Sequence, residues 1–183
     1  MRLFLSLALC VVAFSSPGLM AAVPDATTHL RPQDGRLKQL LREGSARSAT
    51  FKVLADRIQA SNVIVYVALN PWMKTSLSGM LTWMTNAGGY RYLRVSISPE
   101  LTPDQMIATI AHELQHVVEV IGDEAVNDEK SLVSLYRRIG HQRGTASSQW
   151  ETTAAQQTGF QVRKELVTVA TTTLARAGES ARW

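Results

Sequence analysis

The sequence predicts an α+β fold: a small three-stranded sheet, mixed or antiparallel and containing a hairpin, with helices before and after it packed on one side. Three β-rich runs, "VIVYVAL", "SLSGMLTWM" and "YRYLRVSIS", fall between residues 63 and 98, while helical periodicity marks the stretches on either side. With 183 residues, 45% of them hydrophobic and 19% charged, the chain has the length and composition for one sizeable core rather than two.

The stretch "MRLFLSLALCVVAFSSPGLMAA" has a cation at Arg2, an apolar run from Leu3 to Phe14, a Pro17-Gly18 breaker and small residues at Ala21 and Ala22. That order is expected of a secretory signal peptide over residues 1–22. The run is short for a bilayer span, which needs about 20 residues, and no later segment is apolar enough. An exported chain without stable membrane insertion is expected, periplasmic or secreted. A lipid anchor on Cys10 is disfavoured, because Leu9 is bulky where such sites want a small residue.

Cys10 is the only cysteine, so a processed chain would have no thiol, which excludes disulfides, cysteine nucleophiles and thiolate metal sites. Lys and Arg number 19 against 15 Asp and Glu. Removing Arg2 with the leader leaves 18 against 15, a diffuse charge of +3 that carries no nucleic-acid signature.

After a polar linker, residues 23–33, a single domain is expected over residues 34–183. "DGRLKQLLREG" reads as a short helix stopped by Gly44, and "ARSATFKVLADRIQAS" as a second with Phe51, Leu54 and Ile58 on one face. "VIVYVAL" is a strand bounded by Asn70-Pro71. The next two runs flank "TNAGG", whose Asn and glycines tolerate the positive φ of tight turns, which predicts a hairpin. In its second run Arg91, Leu93, Val95 and Ile97 alternate with Tyr90, Tyr92, Arg94 and Ser96, so one side of the sheet is buried.

Thr102 and Pro103 open a helix that runs to about Ile121 and stops at Gly122. Asp128 caps "EKSLVSLYRRI", closed by Gly140. A polar loop then leads to a last long helix from about residue 149 to 166, extending towards 174.

The third of these helices contains "HELQH", an HExxH pattern. Its two imidazoles, four residues apart, can reach one metal ion from one helix face, and the glutamate beside the first can take a proton from an attacking water. At about 100° per residue, Ile107, Ile110, Leu114, Val117 and Ile121 share one side of the helix, while His112, His116 and Glu119 form a stripe opposite. The plain alternative is a solvated polar face, but such faces favour Lys, Glu and Gln. A catalytic zinc keeps three protein ligands and an open position. The candidates for the third are Glu119, Asp123, His141 and Glu151. Glu119 lies about 10 Å along the axis from His112, too far to share an ion with both histidines. His29 falls in the linker. Glu151, in "SSQWETTAAQQTGF" at the head of the last helix, is the preferred third ligand; its ordinary reading is a first-turn glutamate on the helix dipole.

The HExxH core followed by a glutamate on a later helix, with a small hairpin-bearing sheet upstream, resembles the gluzincin branch of the zincin metallopeptidases, in particular its minimal single-domain members. The metzincin branch fits less well, since Glu119 and Gly122 stand where it requires glycine and histidine. The resemblance implies a zincin-like fold in which His112, His116 and Glu151 hold one Zn²⁺ and Glu113 is general base and proton shuttle. It also implies that the first hairpin strand, represented by Ser78, Gly79, Met80, Leu81, Thr82 and Trp83, lines the cleft and pairs with an extended peptide or protein substrate. Ala155 stands where many gluzincins carry an aspartate behind a zinc histidine, so that role is expected of Asp123 or Asp128.

The expected activity is hydrolysis of peptide bonds by an exported zinc peptidase, with Glu113 taking the water proton and returning it to the leaving nitrogen. Candidates for the oxyanion donor are Tyr136, His141 and Arg137. The alternative is an exported metal-binding or interaction protein on a zincin-like fold without turnover.

Overall fold

Four strands, not three, form the main sheet. The computed structural model describes residues 28–142 and 150–180, so the expected signal peptide and the first residues of the linker lie outside the described residues. In chain order the elements are β1 (Leu30–Pro32), α1 (Gly35–Arg47), α2 (Ala49–Gln59), β2 (Val63–Leu69), β3 (Gly79–Ala87), β4 (Tyr90–Ile97), α3 (Pro103–Ile121), α4 (Glu129–Ile139), β5 (His141–Gln142), β6 (Trp150–Glu151) and α5 (Thr153–Ser180). The sheet order is β1-β2-β4-β3. β1, β2 and β4 run parallel and β3 runs antiparallel to β4 at one edge, so the sheet is mixed.

The additional strand, β1, occupies part of the stretch expected to be linker. It has only three residues, one of them a proline, and its place comes from the main chain rather than from side-chain patterning. The Val65 N–H donates to His29 O at 2.7 Å and the Gln33 N–H to Val67 O at 2.8 Å. His29 is fixed as well: its N–H donates to Gln59 Oε1 at 3.0 Å, and its ring Nδ1 lies 3.1 Å from Ile58 O.

β3 and β4 form the hairpin, closed by Gly88 and Gly89 with φ of 58° and 80°. Both values lie in the left-handed region that a two-residue turn of this kind demands. The pairing is regular from Gly79 to Trp83 and then slips at Met84, a bulge in the edge strand. On β4, Arg91, Leu93, Val95 and Ile97 point into the core as the alternation requires.

The helices cover this buried face. α1 contributes Leu37, Leu40 and Leu41, and α2, capped by Ser48, contributes Phe51, Leu54 and Ile58. Gly44 does not stop the first helix, which continues to Arg47. Its role is steric: a β-carbon there would stand 2.9 Å from Phe51 Cε2 and 3.1 Å from Ile107 Cγ2, so glycine permits α1, α2 and α3 to approach closely.

α3 begins with a capping box between Thr102 and Gln105, has proline at its first position and ends at Gly122. Ile107, Ile110, Leu114 and Val117 are fully buried, and each such side chain contributes about 1.5–3 kcal/mol by leaving water. Its C-terminal end is tied to the sheet by Arg91, whose guanidinium donates to the carbonyls of Val120, Asp123 and Val126 at 2.9, 3.0 and 3.3 Å and to Asn62 Oδ1 at 2.8 Å. α5 packs along α3 with Ala155, Val162 and Leu166 buried. None of the described helices is long and apolar enough to cross a membrane.

Candidate metal centre

The helical periodicity that sets the core face of α3 also fixes where its histidines lie. The stripe bearing His112 and His116 is not open to solvent, as a simple amphipathic projection implies. Glu113 and His116 are each 5% exposed: β3 lies over Glu113 at Gly79, Tyr136 of α4 stands edge-on to His116, and α5 packs along α3 beside His112. The close approach is made at Gly159, where a β-carbon would stand 3.2 Å from His112 Cβ and 3.4 Å from Ala108 O. A two-sided environment buries α3 nearly all round, so polar stripe and solvent face do not coincide.

Glu151 reaches the same place from a different element than expected. It lies in β6, which pairs antiparallel with β5 so that His141 faces Glu151 across a short ribbon, and α5 begins only at Thr153. Thr152 ends the ribbon by capping the helix: its hydroxyl accepts from the Ala155 N–H at 3.1 Å and its carbonyl from the Gln156 N–H at 3.1 Å. Gly140 lets the ribbon sit against the end of α4, since a β-carbon there would be 2.8 Å from Glu151 O and 2.9 Å from Tyr136 O.

His112 Nε2 lies 3.3 Å and His116 Nε2 3.5 Å from Glu151 Oε1. One ligand atom from each of the three residues falls within 4.8 Å of the others, an arrangement that could hold a metal ion. The two rings meet edge to face with centroids 5.1 Å apart. His112 is partly exposed while His116 and Glu151 are buried, so the group is reached from the His112 side.

The electrostatics follow from three carboxylates around two imidazoles. Burial alone lowers the His116 pKa, but contacts with Glu119 and Glu151 and the charge of Glu113 outweigh it and raise the pKa to about 9. Burial alone raises that of Glu151, and the contacts with His112 and His116 reverse this and hold it well below the usual carboxylate range. Without a metal, these contacts favour the protonated form of the His116 ring at neutral pH.

Glu113, on the neighbouring face of α3, sits under the first residue of β3. A β-carbon on Gly79 would be 2.6 Å from Glu113 Oε1 and 2.7 Å from Thr109 Cγ2. The strand foreseen as a substrate edge thus passes directly over the HExxH glutamate, and it is an edge strand of the sheet. Ser78 O accepts from the Ser98 N–H at 2.9 Å just before it. Leu81 and Trp83 pack against the core, Met80 is exposed, and the Thr82 hydroxyl donates to Arg94 O at 3.4 Å.

The remaining candidates separate clearly. Tyr136 is buried with its ring edge-on to His116, centroids 5.2 Å apart, and its hydroxyl donates to His116 O at 3.3 Å, so it buttresses the histidine from behind. Burial, reinforced by the charges of Glu119, Glu113 and Glu151, raises its pKa well above the usual phenol value and keeps it neutral. His141 is exposed on β5 and is not in the converging group. Arg137 is exposed on α4. Asp123 pairs with Arg138 and accepts from the Ala125 N–H at 3.0 Å, and Asp128 caps α4 by accepting from the Ser131 N–H at 2.7 Å. Neither stands behind a histidine as expected.

Glu119 does so instead, with Oε2 at 2.8 Å from His116 Nδ1. The helix rise makes it too distant to be a ligand together with both histidines. The signal for its actual contact was the spacing of three residues from His116, which makes the two side chains neighbours on one helix face. Comparison with protein families, with curated proteins and with solved structures finds no match to the chain.

Proposed function

We propose that the protein is an exported zinc-dependent peptidase. The observation that carries the reading is the spacing of the ligand atoms. A tetrahedron whose centre is about 2.0–2.1 Å from nitrogen and oxygen ligands has edges of about 3.3–3.4 Å, and the two imidazole nitrogens stand 3.3 and 3.5 Å from Glu151 Oε1. A direct charge-assisted hydrogen bond is shorter, about 2.7–2.9 Å. Two neutral imidazoles and one carboxylate suit Zn²⁺ and leave a tetrahedral position for substrate or water. The likeness of "HELQH" and the later glutamate to gluzincins supports the same reading.

Bound there by His112, His116 and Glu151, zinc supplies Lewis acidity towards water and the scissile carbonyl. The chain's own residues do the rest. Glu113, buried beside the group, is the general base that takes the proton of the attacking water and returns it to the departing amine nitrogen. Glu119 holds the Nδ1–H of His116, leaving Nε2 as the ligating atom. The edge of β3 over Glu113 offers main-chain groups to an extended peptide.

The test is metal content together with chelator-sensitive peptide hydrolysis for the protein, for Glu113→Gln and for Glu151→Ala. Glu113→Gln is expected to keep zinc and lose hydrolysis by about 10²–10⁴-fold. Glu151→Ala is expected to lose most of the metal. Protein that cannot take up zinc would refute the reading. Zinc retained without hydrolysis of any member of a broad peptide library would turn it into a metal-binding protein without turnover.

A further inference from the structure

We infer that Glu119 and Thr152 are a positioning pair that sets both halves of the ligand group at once, an inference that rests on the metal reading of His112, His116 and Glu151. The two halves come from chain segments far apart in sequence, and a single carboxylate touches both. Glu119 Oε2 lies 2.8 Å from His116 Nδ1, and Glu119 Oε1 accepts from the Thr152 hydroxyl at 2.6 Å. The Thr152 N–H in turn donates to Glu151 Oε1 at 3.0 Å, the same oxygen that faces both imidazoles.

These contacts form a closed ring: His116 imidazole, Glu119, Thr152, Glu151 and back to His116. The participants are shielded from water, with the Glu119 side chain 10% exposed and Thr152 3% exposed. In such surroundings each bond is strong and each loss is expensive. Glu119 selects the tautomer and the rotation of one ligand ring, and through Thr152 it fixes where the third ligand's carboxylate stands. Thr152 also caps α5, so its hydroxyl donates to the carboxylate while accepting from the Ala155 N–H. The residue that caps α5 is therefore also the one that links Glu119 to Glu151.

Glu119→Gln separates this role from helix capping, because it leaves Thr152 and the Ala155 N–H untouched. The amide offers one oxygen where the carboxylate offers two, so it cannot accept from both His116 and Thr152. Thr152→Val removes the hydroxyl at nearly constant shape, and Thr152→Ser retains it. The readouts are Co²⁺ affinity by titration and the visible absorption spectrum of the cobalt-loaded protein, with metal-free helicity as a control. Glu119→Gln and Thr152→Val are expected to bind Co²⁺ about 10–100-fold more weakly with an altered spectrum. Thr152→Ser should stay within about threefold of wild type, since both bonds of the hydroxyl survive.

Glu119→Gln with wild-type affinity and an unchanged spectrum would overturn the positioning role while leaving the metal site standing. If Glu119→Gln does not fold, Thr152→Val decides: affinity equal to that of Thr152→Ser overturns the inference. Wild-type protein that binds neither Co²⁺ nor Zn²⁺ overturns the metal reading and this pair with it.

Discussion

Gly79 of β3 and Glu113 of α3 are packed so tightly that even a methyl group on the glycine would press on the carboxylate, 2.6 Å from Oε1. Glu113 can swing its end away, but Thr109 Cγ2, 2.7 Å from the same point, belongs to a short branched side chain with little freedom. Gly79→Ala should therefore cost about 1–3 kcal/mol of stability by overpacking. If Glu113 is the general base proposed above, the substitution should also displace it, lowering kcat by about 10–100-fold, a part of what a positioned base supplies. Zinc content should not change, because the atoms nearest the added methyl belong to Glu113 and Thr109 and not to His112, His116 or Glu151. Urea denaturation, zinc analysis and separate kcat and KM values check this, and an alanine variant with full kcat would contradict it.

Tyr136 was a candidate oxyanion donor, and its hydroxyl is engaged with the His116 carbonyl. Tyr136→Phe keeps the ring against His116 and loses one hydrogen bond, worth about 0.5–1.5 kcal/mol. The expected kcat stays within about tenfold of wild type, whereas deleting a true oxyanion donor costs about 10²–10³-fold. A loss of the larger size would restore Tyr136 to the reacting centre.

The His116 pKa of about 9 makes the metal-free protein sensitive to alkali. The folded-state value lies above the ordinary 6.5, so the stabilisation belongs to the protonated ring. It is complete below pH 6.5 and disappears as pH rises through about 9. The unfolding free energy of metal-free protein, from denaturant titrations, should fall across this window by on the order of 3 kcal/mol. Metal uptake at pH 7 must expel the same proton, so titration calorimetry in buffers of different ionisation enthalpy should show release of about one proton. A flat stability profile from pH 6.5 to 9.5 would refute the assignment.

Arg91 gathers three carbonyls near the end of α3 into one buried guanidinium. One nitrogen, Nη1, serves all three while Nη2 donates to Asn62 Oδ1, and the single ammonium of lysine can replace the first but not the second as well, so Arg91→Lys should destabilise by about 1–3 kcal/mol. Thermal or urea unfolding measures it; a change below about 0.5 kcal/mol, the size of an ordinary surface substitution, would show that the tie is dispensable.

Where side-chain chemistry decides local structure, the sequence was readable. Thr102-Pro103 starts α3, Asp128 starts α4, "VIVYVAL" is β2, and the paired glycines close the hairpin. The misreadings share a cause: each feature depends on what packs against it. Leu30–Pro32 is a strand only because β2 offers it partners. Gly44 looks like a stop and is instead a contact with Phe51 and Ile107. His116 lies on a polar stripe in projection and is buried because Tyr136 of α4 and Glu151 of β6 close over it. The convergence of His112, His116 and Glu151 was anticipated by residue type, but the ribbon that carries Glu151 is too short for any periodicity to announce it.

The distance along the chain between His116 and Glu151 has one more consequence. Cys10 is the only cysteine, so the residues described here contain no thiol from which a disulfide staple could be made. An ion shared by α3 and β6 would be such a staple in inorganic form, clasping the last helix to the centre of the molecule. Loading would then suppress local opening of α5 by an amount set by free zinc and its Kd. Scarcity of zinc would leave the chain not merely idle but easier to cut.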